Sequence, residues 1–470
     1  MSFASIIGSI SGFMYSKLLI IILLAGGLYF TIRTGFVQFR FFKESIKVVL
    51  EKPEKEGSVS SFQALMVSTA SRVGTGNIVG VASAICLGGY GAVFWMWVIA
   101  IIGGASAYVE STLAQIYKRR YPDGTSYGGP AYYIEAALGS RPLAIVFAVS
   151  MLVTYAGGFN MLASYNLQST FSAYGFYQAN PKLMAWVIGG ILAVIVGYCL
   201  LGGGKRIVSA TSTIVPIMGG LYVLVALFVT ITHINLLPGV LANIFSDAFN
   251  FSAIFGGFAG SCVMQGIKRG LFSNEAGVGS APNAAAAADV SHPVKQGLVQ
   301  MLSVFIDTLL LCTCTAMMCL CSGVEPSAEL AGAPYVQAAL SNALGTIGPI
   351  FITVSMILFA FTTLLGNFYY VDNLLIYIMK KVPSKQFMTG FRIVGALIIF
   401  VGAGMEMGLV WDIADVLMGI MAIINIPVII ILGKPAIGAL KDYAQQKKDG
   451  KDPAFKAEAV GLKGKTEYWQ

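Results

Sequence analysis

The sequence predicts an all-α integral membrane protein with eleven transmembrane helices. Three observations carry that prediction. The chain is 56% hydrophobic and only 11% charged, against roughly 25% charged in an ordinary soluble domain. Residues 73–109, 142–181, 207–246 and 330–371 contain no Asp, Glu, Lys or Arg, and about 20 apolar residues suffice for one helix to cross a bilayer. Segments such as Leu18–Phe30 do not alternate apolar with polar residues, as membrane barrel strands do. Hydrocarbon offers no partner to an unpaired peptide group, so helices remain as the spanning element.

Taken in order, the apolar segments place a first helix at about 15–33, followed by a basic, amphipathic stretch from Arg40 to Glu56. Ten core helices are expected at about 61–88, 91–117, 142–165, 183–202, 207–232, 250–267, 296–321, 346–379, 389–408 and 411–433. The remainder, 434–470, is rich in Lys and Asp with few large apolar residues, and is expected as a solvated, charged tail. The chain thus divides into 1–57, a ten-helix core over 58–433, and the tail. No cleavable signal peptide is expected, because the first apolar run follows no basic segment.

Basic residues set the topology, since Lys and Arg stay on the cytoplasmic flank. With the N-terminus outside, most of the 30 basic residues fall in cytoplasmic segments or at their edges. Among them are Lys43, Lys47, Lys118, Arg119, Arg120, Lys205, Arg206, Lys268, Arg269, Lys380 and Lys381. The outer loops near 234–249, 322–345 and 409–410 have none. The formal charge of +8 therefore reads as the cytoplasmic flank of a multi-pass cell-membrane protein, with the bilayer and not nucleic acid as its partner. Ten core helices divide into two sets of five. Five is odd, so the second set runs opposite to the first, as in the inverted repeats of many secondary transporters.

In such transporters the substrate binds where the first helix of each half is broken. The first core helix carries Val73-Gly74-Thr75-Gly76-Asn77 in mid-span. Glycine is poor in helix interiors and suited to close approach of backbone to a ligand. Asn77 is a favourable N-cap for a second half-helix, whose free N–H groups would attract a carboxylate. The competing explanation is close helix packing through small residues. Gly256-Gly257-Phe258-Ala259-Gly260-Ser261 puts a matching glycine cluster in the sixth core helix, which favours the broken-helix reading. Thr362 and Thr363 in the eighth could supply cation-binding oxygens or bond back to their own helix. Glu110 and Asp307 lie within apolar spans, where a carboxylate is a functional candidate. Asp307 is the candidate coupling residue, and Arg72 a structural partner for an acid or for carbonyls.

Other chemistries find less support. The spacing around Gly74 is G-x-G-x-x-x-G without a βαβ unit, and Gly202-Gly203-Gly204-Lys205 lacks the P-loop spacing, so no nucleotide partner is expected. Cys312, Cys314, Cys319 and Cys321 include i, i+2 pairs that face different sides of a helix, with no histidine close by, so no transition-metal site or organic cofactor is expected. Only His233 and His292 are available as bases, and no nucleophile pairs with either, so an enzyme with catalytic residues is not expected.

Several longer motifs resemble the alanine or glycine:cation symporter family. They are Val73–Ile78, Gly91-Ala92-Val93-Phe94-Trp95-Met96-Trp97, Gly128-Gly129-Pro130-Ala131-Tyr132-Tyr133-Ile134, and above all the run Arg269-Gly270-Leu271-Phe272-Ser273-Asn274-Glu275-Ala276-Gly277 continuing to Asn283. His292–Gly297 and Val304–Thr308 follow. The resemblance covers about residues 60 to 430. It implies a LeuT-like fold, coupling to sodium or protons, and small neutral amino acids as substrates, glutamine in some members. By resemblance, the carbonyls of Ala70 and Val73 and the hydroxyls of Thr362 and Thr363 match a sodium site. Thr75 and Gly76 match the carboxylate-binding break, with Asn77 beside it, and Phe258–Ser261 would face the amino group and side chain. The chain departs from the family at Ala163, where many members carry glutamine (Asn166 is close by), and at Asn367, where some carry tryptophan. Both positions are expected to line the substrate pocket. The resulting expectation is a sodium-coupled importer of alanine or glycine, with serine or glutamine as further candidates, working by alternating access. Proton coupling is its nearest rival and a channel a remote one.

Overall fold

The computed structural model describes residues 2–55, 57–120, 124–201, 203–250, 254, 257 and 261–469. Among them, nine helices are long and apolar enough to cross a membrane. A tenth span is a pair, Ser61–Arg72 (α4) and Gly76–Gly88 (α5), bent by 54° at the break between them. Before this pair come α1 (Phe3–Arg33) and two short helices, α2 (Val37–Arg40) and α3 (Phe42–Val49). After it come α6 (Gly91–Ile116), a two-residue antiparallel pair of β1 (Arg119–Arg120) and β2 (Ser126–Tyr127), α7 (Pro130–Leu138), α8 (Arg141–Ala173), α9 (Pro181–Leu200) and α10 (Arg206–Thr232). The second part holds α11 (Leu237–Ala248), α12 (Cys262–Asn274) and α13 (Pro282–Ala287), α14 (Pro293–Leu320), α15 (Ala333–Leu344), α16 (Ile347–Met379), α17 (Lys385–Ala403) and α18 (Met407–Lys448).

α6 runs through the middle of the bundle and packs along α12 and α14. Its residues 99–116 are buried almost without interruption. α9 and α10 turn large apolar side chains outward, among them Ile191, Val194, Leu224 and Phe228, as expected of a surface facing lipid. α4 starts with a capping box: Ser60 Oγ accepts from Gln63 N at 3.1 Å, and Gln63 Oε1 accepts from Ser60 N at 3.0 Å. That satisfies two N–H groups a helix start would otherwise leave bare.

The helices differ from the sequence expectation where local polarity misleads. α1 begins at Phe3, not near 15, because Ser2 caps it by accepting from Ser5 N and Ser9 Oγ donates to Ser5 O at 2.8 Å. Serines that bond to their own helix do not end it. α18 continues to Lys448, well past 433, and the chain after it is not a free solvated tail. Phe455 N donates to Ser291 O at 2.9 Å and Trp469 Nε1 to Gln115 O at 2.7 Å, with Phe455 and Leu462 buried. A handful of aromatic and apolar residues anchors a segment whose average composition is polar.

α12 runs to Asn274, so Lys268 and Arg269 are buried inside a helix and not in a solvated segment after it. The expected helix over 250–267 is described only in part. Gly256, Phe258, Ala259 and Gly260 lie outside the described residues. The loops expected at 234–249 and 322–345 contain α11 and α15. α11 anchors the start of α6, since Asp247 Oδ2 accepts from Gly91 N at 2.6 Å and Ala248 O from Trp95 Nε1 at 3.1 Å. β1 and β2 are a small exception to an all-helical fold.

Candidate functional site

The break between α4 and α5 leaves backbone groups unspent. Val73 N still reaches Thr69 O at 2.6 Å, but Gly74 N donates to the side-chain Oδ1 of Asn77 at 2.9 Å. Among the described residues, no backbone N–H is donated to the carbonyls of Ala70, Ser71, Arg72 or Val73, and the N–H groups of Thr75 and Gly76 reach no backbone carbonyl. Buried backbone polar groups without partners are rare, so their concentration in one turn marks a place built to take up something else. Asn77 does not cap α5, which has Thr75 at its N-cap position. It closes the break from the other side by holding Gly74 N.

The break opens on a cavity of ≈20 Å³ whose lining includes Arg72, Thr75, Gly76, Ala163, Phe272, Glu275 and Thr363. That is room for about one water molecule. Phe272 forms its lid: its ring lies 5.0 Å from Phe159 and 4.9 Å from Trp411, centroid to centroid. Thr75 Oγ1 accepts from Asn166 Nδ2 at 3.0 Å, so α8 reaches the break through Asn166, while Ala163 contributes only lining.

The two threonines of α16 part company. Thr362 Oγ1 donates back to Leu358 O at 3.0 Å and approaches Phe359 O at 3.2 Å. Thr363 Oγ1 is buried and has no partner among the described residues. It packs so close to the Gly74 Cα that a Cβ there would overlap the hydroxyl oxygen. The crossing of α4 with α16 is tight for the same reason at Gly366, whose missing Cβ would lie 2.7 Å from Ser71 N. Glycine at 74 and 366 is therefore what lets α16 touch the break.

Asn367 is buried and does not line the cavity. Its Oδ1 accepts from Ser71 Oγ at 2.7 Å and its Nδ2 donates to Asn160 Oδ1 at 2.9 Å. It thus acts on the cavity through Ser71, which does line it. Ser261 caps α12 by accepting from Met264 N at 3.3 Å.

Asp307 is buried on α14 and joins the break directly. Its Oδ1 accepts from Asn77 Nδ2 at 2.7 Å, and its Oδ2 accepts from Ser273 Oγ and, at 2.9 Å, from Thr308 Oγ1. Asn77 therefore bonds the backbone of the break on one side and a carboxylate on the other. Arg72 donates to Ser303 Oγ at 2.9 Å and approaches Gln300 O at 3.5 Å. Glu110 lies further along α6, accepting from Asn425 Nδ2 at 2.8 Å and Gly277 N at 3.3 Å.

Three groups escaped the sequence reading. Glu275 lines the cavity in a left-handed conformation (φ 52°) and accepts from Ser280 Oγ at 2.5 Å. Asp415 on α18 is fully buried and holds Lys268 at 2.8 Å and Arg269 at 3.2 Å. Arg269 also stacks 3.9 Å from the Trp411 ring, so the ion pair backs the aromatic lid. The rule that singled out Asp307, an acid inside an apolar span, applies equally to Asp415. Asn160 carried no such signal.

An apolar helical bundle whose first core helix is interrupted in mid-span, with unpaired backbone groups and a free hydroxyl facing a buried cavity, defines a broken-helix membrane transporter. Residues 1–457 match the sodium:alanine symporter family, and the chain belongs to that family. It is 47% identical to the amino-acid carrier protein AlsT of Bacillus subtilis (strain 168), over 100% of this chain and 98% of that one. It is 45% identical to the "Probable sodium/glutamine symporter GlnT" of the same organism, over 99% of this chain and 95% of that one. The crystal structure of MhsT in complex with L-phenylalanine superposes with a TM-score of 0.52 at 16% identity, covering 88% of this chain and 97% of that one. The fold is LeuT-like.

Proposed function

We propose that the chain is a sodium-coupled symporter that imports small neutral amino acids by alternating access, alanine and glycine first, with serine or glutamine as further substrates. One observation carries the reading: the Thr363 hydroxyl, without a partner among the described residues, meets the broken turn at Gly74, where the Ala70 and Val73 carbonyls accept no backbone N–H from those residues. Sodium takes oxygen ligands, and this turn gathers neutral oxygens in a buried place. Thr362 joins the set if its hydroxyl rotates away from Leu358 O. The substrate carboxylate meets the free N–H groups of Thr75 and Gly76 at the start of α5, where the helix dipole favours an anion. Asn77 holds that turn, and Asn367, through Ser71, shapes the rest of the pocket; the part expected of Phe258, Ala259 and Gly260 falls outside the described residues. The names of AlsT and GlnT support an amino acid as cargo.

In this reading the ten core spans (α4 with α5, α6, α8, α9, α10, the span that ends in α12, α14, α16, α17 and α18) form two inverted sets of five, with α1 added in front, and the N-terminus lies outside. The membrane potential then draws each sodium ion inward with about 2.3 kcal/mol per 100 mV, roughly a fiftyfold concentration of a neutral substrate per ion. The test is uptake of labelled alanine into proteoliposomes at fixed pH. Uptake should collapse when potassium replaces sodium, and equal uptake in both ions would refute sodium coupling.

A second reading has its own observation. Asp307 is two hydrogen bonds from Gly74 N through Asn77, so proton release there could loosen the break. An imposed pH gradient that drives uptake without sodium, and fails in Asp307→Asn, would select proton coupling.

A further inference from the structure

Where α1 ends and α18 leaves its apolar stretch, the two helices enclose a pocket of ≈510 Å³ that the transport site does not use. Arg33, Arg40, Lys441 and Lys448 line it, and no carboxylate does. Among the described residues, none of the four forms an ion pair within 4.0 Å. The acid that α3 offers is already spent: Glu44 Oε1 lies 2.6 Å from Lys447 Nζ and accepts from Tyr443 OH at 2.8 Å. That contact fastens α3 to α18 beside the pocket. Gln445, also in the lining, donates to Asp449 Oδ1 at 2.7 Å.

Four like charges held around one cavity repel one another unless an anion joins them. Two guanidinium groups among them match the paired oxygens of a phosphate. The surroundings then choose between a dissolved phosphate and a lipid. Ile32 and Ile437 line the pocket's apolar side. Ile32 and Ile431 are about two-thirds exposed, as are Phe36 and Phe39 to a slightly lesser degree. On both helices the pocket sits where an apolar surface gives way to a charged one, the level of the headgroups in a bilayer. We propose that this pocket is a binding site for the phosphate headgroup of an anionic membrane lipid, whose acyl chains lie along Ile32 and Ile431.

A second basic cavity, of ≈480 Å³, offers the internal comparison. Its Arg141 is paired with Glu135 at 3.1 Å, and its Arg119 with Glu467 at 3.6 Å. Arg120, Lys380 and Lys381 also line it, and Glu135 neutralises part of its charge from within.

Native mass spectrometry on the full, delipidated chain tests the assignment, with added phosphatidylglycerol, phosphatidylcholine or inorganic phosphate as probes. Phosphatidylglycerol should bind at least about tenfold tighter than phosphatidylcholine, since each Lys or Arg near an anionic surface adds about a fivefold factor. Lys441→Gln/Lys448→Gln should lower phosphatidylglycerol affinity about tenfold or more, whereas Lys380→Gln/Lys381→Gln should leave it unchanged. Neither side chain of the first pair makes a hydrogen bond or ion pair among the described residues, so the fold should survive. If it does not, Arg33→Gln reads the same loss. Equal binding of the two lipids, an unchanged affinity in the first double variant, or full displacement by inorganic phosphate would each overturn the proposal, the last by assigning the pocket to a soluble anion.

Discussion

Thr362 and Thr363 are neighbours on one helix, yet one hydroxyl bonds back to its own backbone and the other is free beside Gly74. The proposed sodium site therefore predicts an asymmetry. Thr363→Val should raise the sodium concentration for half-maximal uptake about tenfold or more, the worth of a lost oxygen contact of about 1.5–3 kcal/mol. Thr362→Val should change it much less. Sodium titration of alanine uptake in proteoliposomes measures both. Asp415 gives the second prediction at this scale. Asp415→Asn leaves Lys268 and Arg269 buried without their acid, and breaking a buried ion pair from one side costs roughly 3–5 kcal/mol. Thermal melting of the purified variant should show a large fall, and a replacement that melts like the parent would refute the pairing. Asp307 was legible in the sequence because it interrupts a long apolar run. Asp415 was overlooked because it stands near the start of its expected helix, and Glu275 because it follows one.

At the scale of elements, the break is held by Asn77 from within and by α16 from outside. Gly74→Ala should abolish transport while the protein still reaches the membrane, because the new Cβ would overlap Thr363 Oγ1. Uptake measured against surface expression separates this from misfolding. The segment after α18 is the other element whose role the structure changes. Tyr468 OH approaches Asp289 Oδ1 at 3.4 Å, while Asp289 N donates to Val59 O at 2.9 Å and Asp289 Oδ2 accepts from Lys55 N at 2.7 Å. Lys118 Nζ lies 4.0 Å from the Tyr468 ring and 5.1 Å from that of Trp469. The chain end thus ties the entry to α4, the end of α6 and the approach to α14. Trp469→Ala should release it, seen as faster hydrogen exchange over residues 453–469. Helix existence was legible from apolar length. Helix ends were not, because Ser2, Ser9 and the aromatic tail act through particular bonds that composition averages away.

For the molecule as a whole, a cavity of ≈20 Å³ cannot hold an amino acid, so the substrate binding proposed above requires this cavity to widen, with Phe272 as the side chain to move. Phe272→Ala should enlarge the pocket and relax substrate choice toward larger side chains, read by competition against labelled alanine. The folded state also carries a pH signature away from the membrane interior. Burial holds Lys118 down at about 7, against the pull of Asp289, while an unfolded lysine titrates near ~10.4. The unfolded chain binds the extra proton between those values, so this group makes stability rise as pH increases from about 7 to 10, and adds no slope below. Lys118→Met should flatten that rise in thermal melts. The sequence by itself determined the membrane class, most of the spans and the place of the break, because apolar run length and glycine position are local properties that hydrocarbon selects directly. The resemblance carried by its motifs led to the family. Only the tertiary structure decided which threonine is free, that Asn77 reaches Asp307, that Asp415 holds two cations and how small the cavity is. Those facts depend on contacts between residues far apart in the chain, such as Gly74 with Thr363 and Asn77 with Asp307. Such contacts exist only once the helices have packed, and no local pattern encodes which side chain will find a partner there.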